Sequence, residues 1–330
     1  MPIKPSYQQL REQFEDYLTK TVLLETIGFP LLQEMIFYHF GWQTPKRPAG
    51  KRLRPLLTLL STELFTEEIS KAYPAASALE ILHNFTLIHD DIEDNSDFRH
   101  GQLTLWKKYG IAHAINTGDY LSSLAVVSIS HAETDRPELM LATFLESATA
   151  VTKGQHEDIR FESLPTVSDK AYLNMVNQKT ASLFIAALKL GAISAGASDS
   201  VLETLGGVGH QFGVAYQIYD DYIGVWGDPK LTGKPAGIDL IERKKSYPAL
   251  LGIERNAGFA ASMAADTPLE TKTVSKMIGG LTNWGVQDQV RAEISHYLEI
   301  ANLQLDEIEK EHGLEVSRLK KYVNSLFKLG

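Results

Sequence analysis

Leu87–Gly101, LIHDDIEDNSDFRHG, decides how the rest of the chain is read. It places Asp90, Asp91, Glu93 and Asp94, four carboxylates in five positions, at the end of an apolar segment. That segment, Ala78–Ile88, contains no glycine or proline and reads as a helix. At about 100° per residue, Asp90 and Asp94 fall one turn apart on the same face. His83, Thr86 and, lower, Leu79 share that face. Two carboxylates above a polar-then-apolar stripe suit a hard cation such as Mg²⁺, which takes one or two carboxylates plus substrate phosphates. A lone acidic helix end is more often a solvated terminus. What argues otherwise is a second pair, Asp220-Asp221 in GVAYQIYDDYIGVWGD, 130 residues on and again after an apolar helical run. Two such runs facing each other across a cavity can hold a metal–diphosphate cluster between them.

The totals narrow the classes. At 330 residues the core is not limited by size, and 44% hydrophobic with 22% charged residues is ordinary for a globular protein. A net charge of −9 argues against a general nucleic-acid or anionic-membrane surface, so a site for a phosphorylated substrate must gather its cations locally. With no cysteine there is no disulfide, thiolate nucleophile or zinc–thiolate site. MPIKPSYQQL carries no apolar signal core, and no apolar run approaches the ~20 residues of a membrane span, which points to a cytoplasmic protein.

Nearly every segment has helical period. The pattern predicts helices over Tyr7–Phe40, Lys51–Phe65 with Pro55 in the first turn, about 71–95, Ile111–Glu133 and Pro137–Phe161. Further helices are predicted from Ser168-Asp169 to Ala195, over Ser198–Val225 and Asp239–Arg255, and at about 270–283, 286–311 and 314–328. Gly41–Gly50, Asp228–Gly237 and about 264–270 read as connectors. No repeat or linker appears, so residues 1–330 are expected to form a single all-α domain with helices around a central cavity.

Three cationic clusters accompany the acidic pairs. In Gly50-Lys51-Arg52-Leu53-Arg54-Pro55, Lys51 and Arg54 stand three apart in a helix's first turn, where side chains and free N–H groups together favour an anion. Lys179 lies in Gln178-Lys179-Thr180. The third cluster is Gly233-Lys234-Pro235-Ala236-Gly237-Ile238-Asp239-Leu240, followed by Lys244-Lys245. Taken singly, each is an ordinary basic surface segment, and His83 alone is an ordinary half-buried histidine.

Together these residues resemble a family. HNFTLIHDDIEDNSDFRHG and YQIYDDYIGVWGD are similar to the two aspartate-rich motifs of the trans-isoprenyl diphosphate synthases (polyprenyl synthetases), nearest to the short-chain farnesyl and geranylgeranyl diphosphate synthases. Gly50–Pro55, Gly118-Asp119, Gly154-Gln155, Lys179-Thr180 and the 233–244 block follow in family order, so the resemblance spans about residues 50–250. It implies the isoprenoid synthase fold, a homodimer, and three Mg²⁺ ions. Asp90 and Asp94 would ligate two ions and Asp220 the third, with Asp91 and Asp221 beside them. Arg99, Lys179, Lys234 and Lys244 would hold an allylic diphosphate. Thr180 and Gln217 would line the reacting centre. Lys51, Arg54 and His83 would bind isopentenyl diphosphate.

Three departures stand out. His100 occupies the place of a second arginine that normally helps hold isopentenyl diphosphate, which implies a weaker or pH-dependent hold. Leu103 replaces a proline, and the fifth position of the second acidic motif is Gly224 rather than Asp. A class I terpene cyclase shares the fold and first motif, but the residues at 220–229 do not give its second motif, and Lys51, Arg54 and His83 favour a second diphosphate substrate. A non-catalytic regulatory subunit should have lost its aspartates or lysines. Product length turns on Phe85 and Thr86. Helix arithmetic sends Phe85 about 140° from Asp90, yet in the family an aromatic there floors the tail pocket. Phe85 beside a small Thr86 resembles members that stop at geranylgeranyl diphosphate (C20); farnesyl diphosphate (C15) is the alternative.

Overall fold

Helix-breaking residues decide where the apolar periodicity is cut. In the computed structural model, which describes residues 4–43, 50–229, 235–265 and 267–327, the first predicted helix is two. These are α1 (Tyr7–Glu25) and α2 (Pro30–Phe40), separated at Gly28, whose φ of +86° a side chain disfavours. Pro30 then opens α2 where its missing N–H costs nothing. The chain continues through α3 (Leu53–Thr62), α4 (Tyr73–Glu93), a small hairpin of β1 (Phe98–Arg99) and β2 (Gln102–Leu103), and α5 (Leu105–Tyr109). Next come α6 (Ile111–Ser130), α7 (Pro137–Glu162), α8 (Asp169–Val176), a π-helical turn at Asn177–Ala181, α9 (Ser182–Ser194) and α10 (Asp199–Trp226). Pro55 falls in the first turn of α3, as its chemistry requires.

Beyond α10, the predicted helix Asp239–Arg255 is divided into Ile238–Ile241 and Tyr247–Arg255. Arg243 turns left-handed between them at φ +56°, and Pro248 restarts the second piece in its first turn. Ala257–Ala264 adds a helix just before the predicted connector; Thr271–Asn283, Val286–His312 and Ser317–Asn324 close the described chain. No described helix is long and apolar enough to cross a membrane.

The chain forms two compact units, each drawn from two stretches. Unit 1 comprises Met1–Glu146 and Ala186–Leu202. Its α1 starts from a capping box, with Gln9 N donating to Ser6 Oγ and Ser6 N to Gln9 Oε1, and buries Leu10, Phe14, Leu18 and Val22. Helix α3 is buried almost all round. It lies so close to α9 that a methyl on Gly191 would sit 2.1 Å from the Thr58 carbonyl oxygen. The Ser61 and Thr62 hydroxyls donate to the Leu188 and Gly191 carbonyls across that contact, at 2.6 and 2.9 Å. Helices α4 and α6 meet at Gly118, where a methyl would lie 2.3 Å from His89 Nε2.

Unit 2 comprises Ser147–Ile185 and Glu203–Gly330. Its core draws Tyr172 from α8 and Ile218 and Val225 from α10. The later helices add Leu250, Leu281, Val290 and Ile294.

Unit 1 also contains a buried ion triad. Arg52, 4% exposed, is bound bidentately by Glu15 of α1 and singly by Glu80 of α4. Burial raises the Glu15 carboxyl's pKa, but the Arg52 guanidinium and the Trp42 indole more than offset that and hold it below the usual range. A carboxyl lowered in the fold stabilises above its unfolded pKa, near 4.3, and loses that contribution as pH falls through its folded value. Glu15→Gln should therefore lower stability at neutral pH by on the order of 2 kcal/mol. Urea midpoints of variant and parent should converge as the medium is acidified.

Candidate active site

Helix α4 ends inside the first acidic stretch. Asp94 is its C-cap, its N–H donating to the Asp90 carbonyl at 2.8 Å, so the two carboxylates straddle the last turn. Asp90 is half-buried and Asp94 exposed. Asp91 is different: it is 2% exposed and accepts from Arg99 Nε at 2.8 Å. A helix C-terminus already bears partial negative charge, so carboxylates gathered there raise a field that favours cations. Arg99 reaches Asp91 from β1. The hairpin turns at His100-Gly101, both left-handed at φ +50° and +76°. Histidine tolerates that backbone better than most side chains, and His100 is exposed at the tip.

Two turns below Asp90, His83 is surrounded by cations. Its pKa lies well below the ordinary value, first through burial and then through Arg54, Arg99, His39 and Arg52. The imidazole is therefore neutral near pH 7, able to donate one N–H without adding charge. Of the residues picked from the sequence, Arg54, His83 and Arg99 come together here, with Lys51 exposed at the entry to α3. Arg52 and His39 join them, though the sequence pattern singles out neither. Arg52 was in plain view within Gly50–Pro55, but the helix pattern does not reveal which of its cations is buried.

In unit 2, the π-helical turn carries Lys179 and Thr180. Such bulges concentrate at functional sites because they re-aim side chains within a helix. Glycines let neighbouring helices press on it: a methyl on Gly154 of α7 would lie 2.2 Å from Lys179 N, and one on Gly213 of α10 2.3 Å from Ala181 Cα. Lys179 Nζ pairs with Asp158 Oδ2 at 2.6 Å. Thr180 Oγ1 donates to Gln217 Oε1 at 2.6 Å, and Gln217 Nε2 donates to Asp221 Oδ1 at 2.9 Å, which fixes the amide's orientation. The other Asp221 oxygen accepts from Tyr172 OH at 2.6 Å and Tyr247 N at 2.8 Å. Asp221 is 6% exposed while Asp220 is exposed, so this pair divides as the first one does.

Asp239 is the residue the motif reading missed. A methyl on Gly224 would lie 2.3 Å from its Oδ2, so its carboxylate fills the space that a side chain at the fifth motif position would enter. The missing aspartate at Gly224 was the available signal. Burial pushes the Asp239 carboxyl up to about 8, with Asp221, Asp220 and Glu242 adding to the rise and Lys244 opposing it. Asp221 is raised to about 6, chiefly by burial and against its three hydrogen bonds, with Asp220 adding to the rise. Lys244 is exposed and pairs with Glu242 at 3.1 Å. Lys234 lies outside the described residues.

Among the described residues, no group of three or more His, Asp or Glu could hold a metal unaided. Mg²⁺ does not require one: it keeps waters and takes one or two carboxylates together with substrate phosphates. In unit 1, Asp90 and Asp94 on one accessible turn offer such carboxylates; in unit 2, Asp220 offers another.

The polyprenyl synthetase family profile matches residues 32–278, and the chain belongs to that family. It is an all-α prenyltransferase with the isoprenoid synthase fold, a short-chain trans-prenyl diphosphate synthase. It is 34% identical to a (2E,6E)-farnesyl diphosphate synthase of Mycobacterium bovis over 72% of this chain and 67% of that one. It is 35% identical to a geranylgeranyl diphosphate synthase of Methanosarcina mazei over 78% and 79%. Among solved structures, a geranylgeranyl pyrophosphate synthase superposes with a TM-score of 0.86 at 30% identity over 97% of this chain and 98% of that one. The enzyme of that name from Corynebacterium glutamicum, complexed with isoprenyl diphosphate and magnesium, superposes at 0.83 with 25% identity over 98% of each chain.

The raised acids make the metal-free protein sensitive to alkali. A carboxyl raised in the fold leaves it most stable below the unfolded pKa, near 3.9, and destabilises it as pH rises through the folded value. In chelator-treated protein, Asp239→Asn should raise the thermal midpoint, and by more at pH 8 than at pH 5. Equal shifts at both pH values would place the Asp239 carboxyl in an ordinary environment.

Proposed function

We propose that the enzyme condenses isopentenyl diphosphate with an allylic diphosphate, stopping at geranylgeranyl diphosphate, with residues 1–330 acting as one domain. The observation that carries this is the double character of α4. Its C-terminal turn presents Asp90 and Asp94 to cations, while His83, about 10 Å lower along the axis, has Arg54 as its strongest cationic influence. One end suits a diphosphate held through metal, the other a diphosphate held by cations directly. That favours two diphosphate substrates over the single substrate of a terpene cyclase.

Three Mg²⁺ ions at Asp90, Asp94 and Asp220 would supply electrostatic stabilisation of the departing diphosphate. Arg99, Lys179, Lys234 and Lys244 neutralise the same group, so no protein nucleophile is required. The allylic C–O bond breaks with its electrons going to diphosphate. The isopentenyl double bond forms the new C–C bond, and a proton then leaves to the diphosphate. Thr180 and Gln217, locked to each other and to Asp221, present fixed dipoles beside that centre. Asp91, buried against Arg99, and Asp221, buried with three donors on its two oxygens, stand beside the metal-binding aspartates and orient them. Lys51, Arg54 and His83 take isopentenyl diphosphate, with His100 at the hairpin tip. Exposed apolar residues on α6 and α7, Ile111, Ile115, Val126, Leu141 and Leu145, support a homodimer. A cytoplasmic location agrees with the lack of a membrane-spanning helix among the described residues.

The test is to supply isopentenyl diphosphate with each allylic primer and Mg²⁺ and to identify the product. Chain growth ending at C20 supports the reading, and an end at C15 selects the alternative. Hydrocarbon released from an allylic substrate alone would mark a cyclase. Asp90→Ala should reduce the rate on the order of a thousandfold. Near-parental activity of that variant in excess EDTA would remove Asp90 from the metal site.

Phe85 supports C20 as the floor of the tail pocket. It is half-buried and meets His89 edge-on, ring centroids 4.7 Å apart, with His89 in turn against Gly118. Phe85→Ala should lengthen the product by one or more isoprene units. An unchanged product spectrum, read by mass spectrometry, would put the floor on another helix.

A further inference from the structure

Arg52, the centre of the buried ion triad and a neighbour of His83, has no part in the function proposed above, yet it is tightly constrained. It is the N-cap of α3, its carbonyl accepting from Leu56 N at 3.0 Å, but its backbone is left-handed at φ +47°. Caps are ordinarily extended, and a non-glycine residue keeps a left-handed backbone only where its surroundings over-determine it. The guanidinium provides that determination. Nε and Nη2 donate to the two Glu15 oxygens at 2.7 Å each, Nη1 donates to Glu80 Oε1 at 2.8 Å, and Cζ lies 5.4 Å from the Phe40 ring centroid. The carboxylates are themselves tethered, Glu15 by the Trp42 indole and Glu80 by Asn84 Nδ2.

Compared with apolar packing, a buried ion triad is a poor source of stability. What a rigid fork bound on three nitrogens does supply is a fixed direction, which the single ammonium of lysine does not. The peptide it fixes joins Lys51, exposed just before it, to Arg54, which lies beside His83. We propose that Arg52 is a positioning residue. By anchoring residue 52 left-handed, it sets Lys51 and Arg54 relative to His83 so that the three groups meet one diphosphate. This rests on the reading of those three as the isopentenyl diphosphate site.

The test is steady-state kinetics with each substrate varied in turn. Arg52→Gly tolerates the backbone but deletes the anchor, and should raise the KM for isopentenyl diphosphate about tenfold or more while the allylic KM stays within about twofold. Arg52→Lys keeps the charge and should fall between this variant and the parent. Glu80→Asp also keeps its charge but withdraws the oxygen by one methylene; it is mild enough to fold and should raise the same KM a few-fold, by roughly 3. A merely structural role would lower the unfolding midpoint and the yield of active enzyme without separating the two KM values. Unchanged isopentenyl KM in all three folded variants, or parallel rises in both KM values, overturns the proposal. Lys51→Ala and Arg54→Ala run beside them. If these leave the isopentenyl KM unaltered, the site reading fails and the proposal with it. If they raise it and the Arg52 series does not, the positioning role alone fails.

Discussion

Taking a carboxylate out of water costs several kcal/mol unless donors replace its hydration, and both acidic pairs are organised by that cost. Asp91 is buried because Arg99 bonds to it from the adjoining hairpin. Asp221 is buried because a phenol, a backbone N–H and an amide converge on its two oxygens. In each pair the neighbour, Asp90 or Asp220, keeps access to solvent. Adjacent identical residues thus perform different tasks, one anchoring the segment and the other presenting charge.

The same division appears among the cations. In a chain of net charge −9, positive side chains near His83 exert their effect only if local carboxylates do not cancel them all. Arg52 is committed to Glu15 and Glu80, and Arg99 reaches Asp91. Burial opposes the charge on Arg52, but the two glutamates more than offset it and hold its pKa above the ordinary value. His83, lowered first by burial and then by Arg54, Arg99, His39 and Arg52, goes the other way and stays neutral. Three basic side chains within a few residues of sequence or space therefore carry different electrostatic roles.

Close backbone approach sets the remaining geometry. Gly154 and Gly213 allow two helices to bear on the π-helical turn that carries Lys179 and Thr180, and Gly224 leaves room for the Asp239 carboxylate. Each is a place where one methyl would collide with backbone or a polar group, so small size rather than flexibility is what matters.

The sequence by itself determined a great deal. Helical period runs almost throughout, and the acidic pairs fall at helix ends. Lys51, Arg54, Lys179 and the two aspartate pairs stand out as candidates because like chemistry recurs at helical spacing or in a familiar order. Local breakers cut this period where apolar spacing alone runs on: Gly28 and Pro30 divide the first helix, and Pro248 restarts a later one. What only tertiary structure decided is which member of each charged group faces inward. Spacing along one helix gives a direction, but burial depends on partners brought from other segments: the accepting Glu15 carboxylate for Arg52, and the donors Tyr172 and Tyr247 for Asp221. Asp239 over Gly224 has the same origin, since 15 residues of chain separate two positions that only folding brings into contact.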